Sequence, residues 1–522
     1  MPENGGFCCN FKAELKAMLE NITLGAAPLS YHQYEQIAKG NARLTLDPVA
    51  AERISCSRAF LEERTKTRKT PVYGVNTGFG ALCNIVVGEE DLGKLQTNLV
   101  RSHACGAGAE IDERIVRLMM ALKVQSFAVG VSGIRLKVVE QIIAMYNSGA
   151  IPVIYELGSL GASGDLAPLA HLSLPLLGEG EVWLEGEKTS TQDALSELGE
   201  NGWKAMELAS KEGLALLNGT QFMSAHGIYA LIQARRIDFF ADQLAALSTL
   251  AYDGRIEPFT PGVHLTRPHI GQILTAERLL NWLEPCEAMH REKEHVQDPY
   301  SFRCVPQVHG ASKGAIKHMM DVFEVEVNAA TDNPVVLSDE GRIISAGNFH
   351  GQPLALALDY GALAIHEYGS ISERRTYQLI SGRRGLPPFL VKNPGINSGL
   401  MIAQYTAASM VSQNKQLCTP ASADSIESSN GQEDHVSMGA NAATKLLKVV
   451  DNVYGILGVE LLNAVQALWI RGEAVEGELG ALFNDFLAVS PAIEEDIYLH
   501  ERMELAKNFL KTRMLEERTI LL

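Results

Sequence analysis

Residues 221–251 read QFMSAHGIYALIQARRIDFFADQLAALSTLA, and this stretch decides the fold. It is rich in Ala, Leu, Gln and Arg, which lose little side-chain freedom in a helix. No proline stands between Pro175 and Pro258, so nothing here removes a helical hydrogen bond or clashes with the preceding turn. The stretch predicts one long helix. A second proline-free interval, between Pro420 and Pro491, carries Leu446, Val450, Val453, Leu457, Leu461, Ala464 and Leu468. Their spacing of three or four residues draws a single apolar helix face. Ile115, Leu118, Met119 and Leu122 repeat the pattern nearer the N-terminus. Gly455 and Gly458 interrupt the late helix, where they either let another element approach closely or merely weaken it.

Strand signals are sparse. Glu181–Trp183 with Lys188–Ser190, around Glu185-Gly186, predicts one hairpin; Val335–Leu337 with Arg342–Ile344 predicts another. Gly, Pro, Ser and Asn collect at 72–84, 157–165, 256–268, 382–398 and 419–434, which read as loops. The fold class is therefore mainly α, with long helices bundled at the centre and small β-hairpins.

Composition narrows the partners. The chain has 522 residues, 46% of them hydrophobic and 20% charged, a globular mix rather than a disordered one. Its 45 Lys and Arg against 62 Asp and Glu leave a net charge of −17, which argues against nucleic acid or an anionic membrane surface. Residues 1–12 show no basic-then-apolar signal pattern, and apolar runs such as 166–177 are too short to span a bilayer. The eight cysteines (8, 9, 56, 83, 105, 286, 304 and 418) are scattered without a C-x-x-C pair, so reduced thiols and a cytoplasmic setting are expected. Cys8–Cys9 reads as an exposed tail feature. Length alone allows roughly three or four domains.

Several chemistries lack their motifs. There is no P-loop, no dinucleotide-binding glycine fingerprint after a strand, no H-E-x-x-H and no Cys/His zinc spacing. The glycine-rich run 74–81 (GVNTGFGA) matches none of these, and no metal site is expected. His264 with His269, and His309 with His318, read as surface or core histidines. Ser163 is followed by Gly164-Asp165, which is no nucleophile elbow.

Residues 157–168 read LGSLGASGDLAP. Gly158, Gly161 and Gly164 make a tight turn that sets Ser163 at a helix N-terminus with Asp165 as its cap. Ala-Ser-Gly by itself is a common loop tripeptide. The longer run GSLGASGDLAPLAHL, however, resembles the signature of the aromatic amino acid ammonia-lyase and aminomutase family. In that family Ala-Ser-Gly cyclises to 4-methylidene-imidazol-5-one (MIO). The resemblance thus implies a prosthetic group built from Ala162, Ser163 and Gly164, with no external cofactor. Cyclisation brings the Gly164 nitrogen onto the Ala162 carbonyl, which needs an unhindered bent backbone, and Ser163 supplies the leaving hydroxyl. The resulting electrophile captures an amine and so divides a difficult elimination into easier steps.

The resemblance runs from about Tyr73 to Leu468. Tyr73, in VYGVNTGFG, is similar to the family's catalytic base, although a Tyr before Gly is otherwise a packed aromatic with a pKa near 10. Asn218, in LLNGTQ, matches the asparagine that orients the prosthetic group and the substrate amine. In QDPYSFR, Arg303 implies a clamp on the substrate carboxylate, Tyr300 assistance with the amine or a proton, and Gln297 a hydrogen bond near the carboxylate or ring. Phe349, in Asn348-Phe349-His350, matches an aromatic residue that packs on the prosthetic group. Thr331-Asp332-Asn333-Pro334 fits the family as well as it fits a plain turn.

Two segments bear on the substrate. Ser102–His103 and Gln432-Glu433-Asp434-His435 resemble the family's histidine-acting members, whereas phenylalanine and tyrosine lyases carry an aromatic residue or His followed by Leu, and Asn-Gln-Asp. His103 and Glu433 could pair the two nitrogens of an imidazole; a benzene ring would leave both unpaired. Gly431 departs from the expected Asn, and Arg101 from an apolar residue. The resemblance implies elimination of ammonia from L-histidine to trans-urocanate, the first step of histidine degradation; the alternative is a tyrosine or phenylalanine lyase or aminomutase. It also implies a homotetramer of elongated central bundles with a fumarase/aspartase-like core. Residues 1–220 would bear the tripeptide, and 221–522 the long-helix bundle and C-terminal helices, as one continuous catalytic fold. From another class, Ser163 could be a hydrolase nucleophile, or the bundle a scaffold; both predict the unmodified chain mass.

Overall fold

The computed structural model describes residues 19–67 and 71–515; Cys8–Cys9 and the rest of 1–18 lie outside them. Helix Gln221–Ala251 forms over the whole predicted stretch, and Gly439–Arg471 and Glu113–Ala128 form around the other two apolar patterns. Both predicted hairpins are present, Glu181–Leu184 with Glu187–Ser190 and Val335–Leu337 with Arg342–Ile344. The described chain is mainly α.

Two compact units divide it. Of the described residues, the first takes those up to Tyr229, Asp321–Leu356 and Pro420–Thr444; the second takes Ala230–Met320, Ala357–Thr419 and those from Lys445 on. Neither follows the chain order of a division at 220/221, because four long helices each begin in one unit and end in the other.

In the first unit, helix Glu113–Ala128 is buried along almost its whole length, which places Lys123 and Gln125 inside the core. Three small pairings were not anticipated: parallel Glu20–Leu24 with Ala42–Leu46, antiparallel Ala107–Glu110 with Tyr155–Leu157, and Ile151–Pro152 on the edge of the first hairpin. Between the first two strands, helix Tyr31–Lys39 begins with a reciprocal Ser30–Gln33 capping box and ends on a left-handed Gly40.

In the second unit, both glycines of the late helix serve close approach. A Cβ on Gly458 would stand 2.8 Å from the Lys507 nitrogen, and one on Gly455 would stand 2.7 Å from Met410 Sδ. The expected loop at 256–268 holds two short helices, Glu257–Phe259 with Pro258 second and Pro261–Leu265 with Pro261 first, and in a first turn a proline's missing N–H costs nothing. His309 is a core histidine, as read, but in an ionic core: Nδ1 is 2.7 Å from Asp242, which also accepts from Arg278 (2.9 Å) and Lys313 (2.8 Å). Asp238 completes this buried cluster by accepting from Tyr368 Oη (2.7 Å) and Arg278 (3.1 Å). Helix Gly439–Arg471 is long and apolar enough by composition to cross a membrane, yet 89% of its apolar window is buried within the fold, as in a core helix.

Candidate active site

The glycine-rich turn at 158–164 is held from two sides in the first unit. Gly158, Gly161 and Gly164 all have positive φ (136°, 63° and 77°), the region where a side chain is strained. On one side, Ser437 Oγ donates to Gly161 O (3.0 Å), Met438 N donates to Leu160 O (2.8 Å), and Ala162 is buried against Val436 and Met438. On the other, Gly164 lies beside Gly219: a Cβ on Gly164 would stand 2.7 Å from the Gly219 carbonyl carbon and 2.8 Å from its nitrogen. Asp165 N donates to Gly219 O at 2.8 Å. The backbone is therefore sharply bent and confined around Ala162-Ser163-Gly164, as a cyclisation of these residues requires.

Asp165 corrects the cap expected for it. It occupies the N-cap position of helix Leu166–Ser173 but makes no side-chain cap bond there. Its Oδ2 accepts instead from Phe222 N (2.8 Å) and Met223 N (3.2 Å), at the start of helix Gln221–Ala251. The carboxyl locks the tripeptide to the neighbouring helix, and full burial pushes its pKa up to about 8 despite those two donors.

Ser163, Glu433, Tyr73 and His103 come together around the turn. Ser163 Oγ donates to Glu433 Oε1 at 2.7 Å, while Glu433 Oε2 accepts from Ser428 Oγ at 2.8 Å. Ser428 and Glu433 face each other across a tight reversal, Ser428 N to Glu433 O at 3.0 Å. Ser429, Asn430 and Gly431 all carry positive φ in this reversal (51°, 51° and 80°), which gives the unexpected Gly431 its reason. The same reversal meets the Tyr73 loop, since Ala81 N donates to Ser429 Oγ at 3.3 Å.

Tyr73 Oη accepts from Gly80 N at 3.3 Å. Burial raises its pKa above the ordinary phenol value, the Gly80 amide opposes this, and the Glu433 charge adds to the rise. His103 ends helix Leu92–His103. Ser102 gives its one hydroxyl proton to Leu99 O (3.2 Å) and so accepts from His103 Nδ1 (3.0 Å), which leaves Nε2 an acceptor. Burial lowers the His103 pKa, against the pull of the Leu99 carbonyl and Glu433. At neutral pH the ring is therefore uncharged. Arg101 forms a fork on Glu179 (3.0 and 3.1 Å from Nε), tying the end of this helix to the turn before the first hairpin.

Asn218 follows helix Glu212–Leu217 and is buried, with Nδ2 donating to Leu214 O at 3.3 Å. A polar network that the sequence did not reveal lies beneath it. Lys123 Nζ donates to Asn218 O (2.5 Å) and Gln221 Oε1 (3.3 Å), and full burial pushes its pKa down to about 7. The Thr331–Pro334 segment belongs to this network rather than to a plain surface turn: Lys211 donates to Asp332 (2.8 Å), and Gln221 Nε2 to Thr331 Oγ1 (3.1 Å). Lys123 has one signal in the sequence, a charge among the apolar positions of its helix.

Phe349 is half-buried in the first unit, and the adjacent His350 stacks on His435 and reaches His435 O from Nε2 at 3.2 Å. Gln297, Tyr300 and Arg303 belong to the second unit. There the Arg303 guanidinium lies 4.6 Å over the Tyr300 ring, with Nε donating to Asp298 O at 2.9 Å, and Tyr300 is 70% exposed. Gln297 is exposed as well.

The family model for aromatic amino acid lyase matches residues 29–488. A histidine ammonia-lyase of Caldanaerobacter subterraneus subsp. tengcongensis is 46% identical over 455 residues, 87% of this chain and 89% of its own. The crystal structure of histidine ammonia-lyase from Trypanosoma cruzi is 40% identical with a TM-score of 0.87, covering 94% and 93% of the two chains. A tyrosine aminomutase of Streptomyces globisporus is 32% identical with a TM-score of 0.88, covering 94% and 96%.

Proposed function

Because the chain belongs to the aromatic amino acid lyase family, we propose that it is a carbon–nitrogen lyase that eliminates ammonia from L-histidine to give trans-urocanate. The observation that carries the histidine reading is Glu433 standing 2.7 Å from the Ser163 hydroxyl and near enough to His103 for its charge to act on that ring. The confined turn at 162–164 suits MIO formed from these residues, which when present supplies an electrophile toward the substrate amine.

The chain's own groups then divide the work. His103 Nε2 and the Glu433 carboxylate, fixed by Ser428, are both acceptors, and together they take the two ring N–H groups of the substrate's imidazole in its protonated form. Both are in place before substrate arrives, so no reorganisation is needed. Tyr73 is the base for the β-proton. Its phenol is held protonated by burial, and a bound ammonium beside it draws its pKa down. Asn218 is held by the Lys123 network to orient the amine, and Phe349, on its motif, would pack on the prosthetic group. Gln297, Tyr300 and Arg303 enter on their motif, Arg303 as the carboxylate clamp.

We assign the family's homotetramer to this chain in the cytoplasm, with no nucleic-acid or membrane partner. Exposed Tyr360, Leu363 and Tyr377 lie along one stripe of helix Gln352–Leu379, and exposed Ile402 and Tyr405 on helix Met401–Leu417, which supports association between copies. Turnover of histidine, tyrosine and phenylalanine, followed by ultraviolet absorbance of the conjugated acid, tests the assignment. Histidine is expected to be fastest; faster tyrosine would move it to the aminomutase and tyrosine-lyase side of the family. Intact-protein mass is expected to be two waters light, and Ser163→Ala to restore full mass and abolish activity.

A further inference from the structure

We infer that Gln96 is a positioning residue that fixes the catalytic tyrosine against the elements bearing Asn218 and His103, an inference that rests on Tyr73 being the base. The Gln96 side chain is wholly buried in helix Leu92–His103. Its Nε2 donates to Gly74 O at 3.3 Å, on the residue after Tyr73, and its Oε1 accepts from Leu214 N at 3.1 Å. Leu214 lies in the first turn of helix Glu212–Leu217, where backbone N–H groups have no partner within the helix. The residue before that helix, Lys211, makes no side-chain cap bond. Gln96 therefore caps it from another helix. Asn218 follows at its other end, and His103 stands seven residues beyond Gln96, two turns along the same face.

The three elements have no slack between them. A Cβ on Gly213 would stand 2.5 Å from Gln96 O and 3.0 Å from its Cα, and one on left-handed Gly74 would run into the Leu214 side chain. One amide thus joins the segments carrying the base, the amine-orienting asparagine and the ring-binding histidine. A small displacement of Tyr73 acts on the proton-transfer geometry rather than on substrate affinity.

Gln96→Met keeps length and removes both hydrogen bonds; Gln96→Glu keeps the acceptor for Leu214 N and, when ionised, loses only the donor to Gly74 O. Gln96→Met, and Gln96→Glu at a pH where its carboxyl is ionised, are expected to lose at least tenfold in kcat for histidine with KM within threefold, and both to keep the two-water mass deficit. In a Tyr73→Phe background the further loss from Gln96→Met is expected to fall below threefold, a coupling that a merely structural role does not produce. Should Gln96→Met fail to fold, Gln96→Glu decides alone, its helix cap being retained. Wild-type kcat in the folded variant, loss of the mass deficit, or the same factor in both backgrounds would overturn the inference. If Tyr73→Phe alone keeps wild-type kcat, the base assignment itself is wrong, whatever Gln96 does.

Discussion

Gly164→Ala tests whether the turn is as confined as the geometry requires. Two costs add. Gly164 has φ of +77°, and a Cβ there costs about 1–2 kcal/mol in the left-handed region. The new atom also stands 2.7 Å from the Gly219 carbonyl carbon and 2.8 Å from its nitrogen, both backbone atoms that no rotamer change can move. Overpacking of this kind costs about 1–3 kcal/mol. The sum is about 2–5 kcal/mol. Wild type is a poor reference, because a cyclised tripeptide would change the stability of the turn by itself. Ser163→Ala is the proper one: it cannot form the group, yet it leaves the turn's backbone packing unaltered. Urea unfolding of both variants at one fixed protein concentration should place Gly164→Ala lower by that amount. A difference under about 1 kcal/mol would refute the steric argument, and a retained mass deficit in Gly164→Ala would refute the confinement of the nucleophilic nitrogen.

Glu433→Gln should weaken preference for histidine over phenylalanine by about 5- to 150-fold in kcat/KM, the equivalent of one mispaired polar group at about 1–3 kcal/mol; unchanged discrimination would remove Glu433 from ring recognition. The same substitution takes away a negative charge that helps raise the Tyr73 pKa, so the phenol should titrate at lower pH, read as ultraviolet absorbance with Tyr73→Phe subtracted. No shift, or an upward one, would separate the two residues. In the second unit, burial alone would raise the Asp242 carboxyl, but Lys313, His309 and Arg278 outweigh it and hold the group well below the usual range. A depressed folded pKa contributes stability that is fully present above the unfolded value of about 3.9 and is lost as pH falls from there through the folded pKa. Unfolding free energy of wild type should therefore drop more steeply between about pH 5 and 2 than that of Asp242→Asn, and parallel curves would contradict the pairing.

The long helices were legible because their signal is local. Residues 221–251 and the apolar face from Leu446 to Leu468 carry period and composition over many turns, and no proline contradicts them. The missed strands are short, and their partners are remote. Ala107–Glu110 is exposed at every residue and so has no alternation to read, while Glu20–Leu24 pairs with a strand across an intervening helix. Nothing in five residues announces such a partner. The two glycines of the late helix show the converse: their meaning lay in Lys507 and Met410, which only the packing brings near.

The site divides along the same line. Ser163 and Tyr73 were read from motifs, because the cyclisation and proton removal proposed for them each demand a residue type within a fixed short string. Asp165 was assigned to its own helix, since a cap directly after a glycine turn is the local expectation; its real donors are Phe222 and Met223, more than fifty residues on. Gln96 and Lys123 were missed for a stronger reason. A glutamine or lysine amid apolar helix positions reads as one more polar side chain, and its worth appears only once burial removes water and leaves it a single set of partners. What the sequence hides is thus the layer that holds the reacting groups still. Gly74 O, Leu214 N and Asn218 O belong to the backbone, present at every residue, and only the buried side chains that reach them make these three positions distinct.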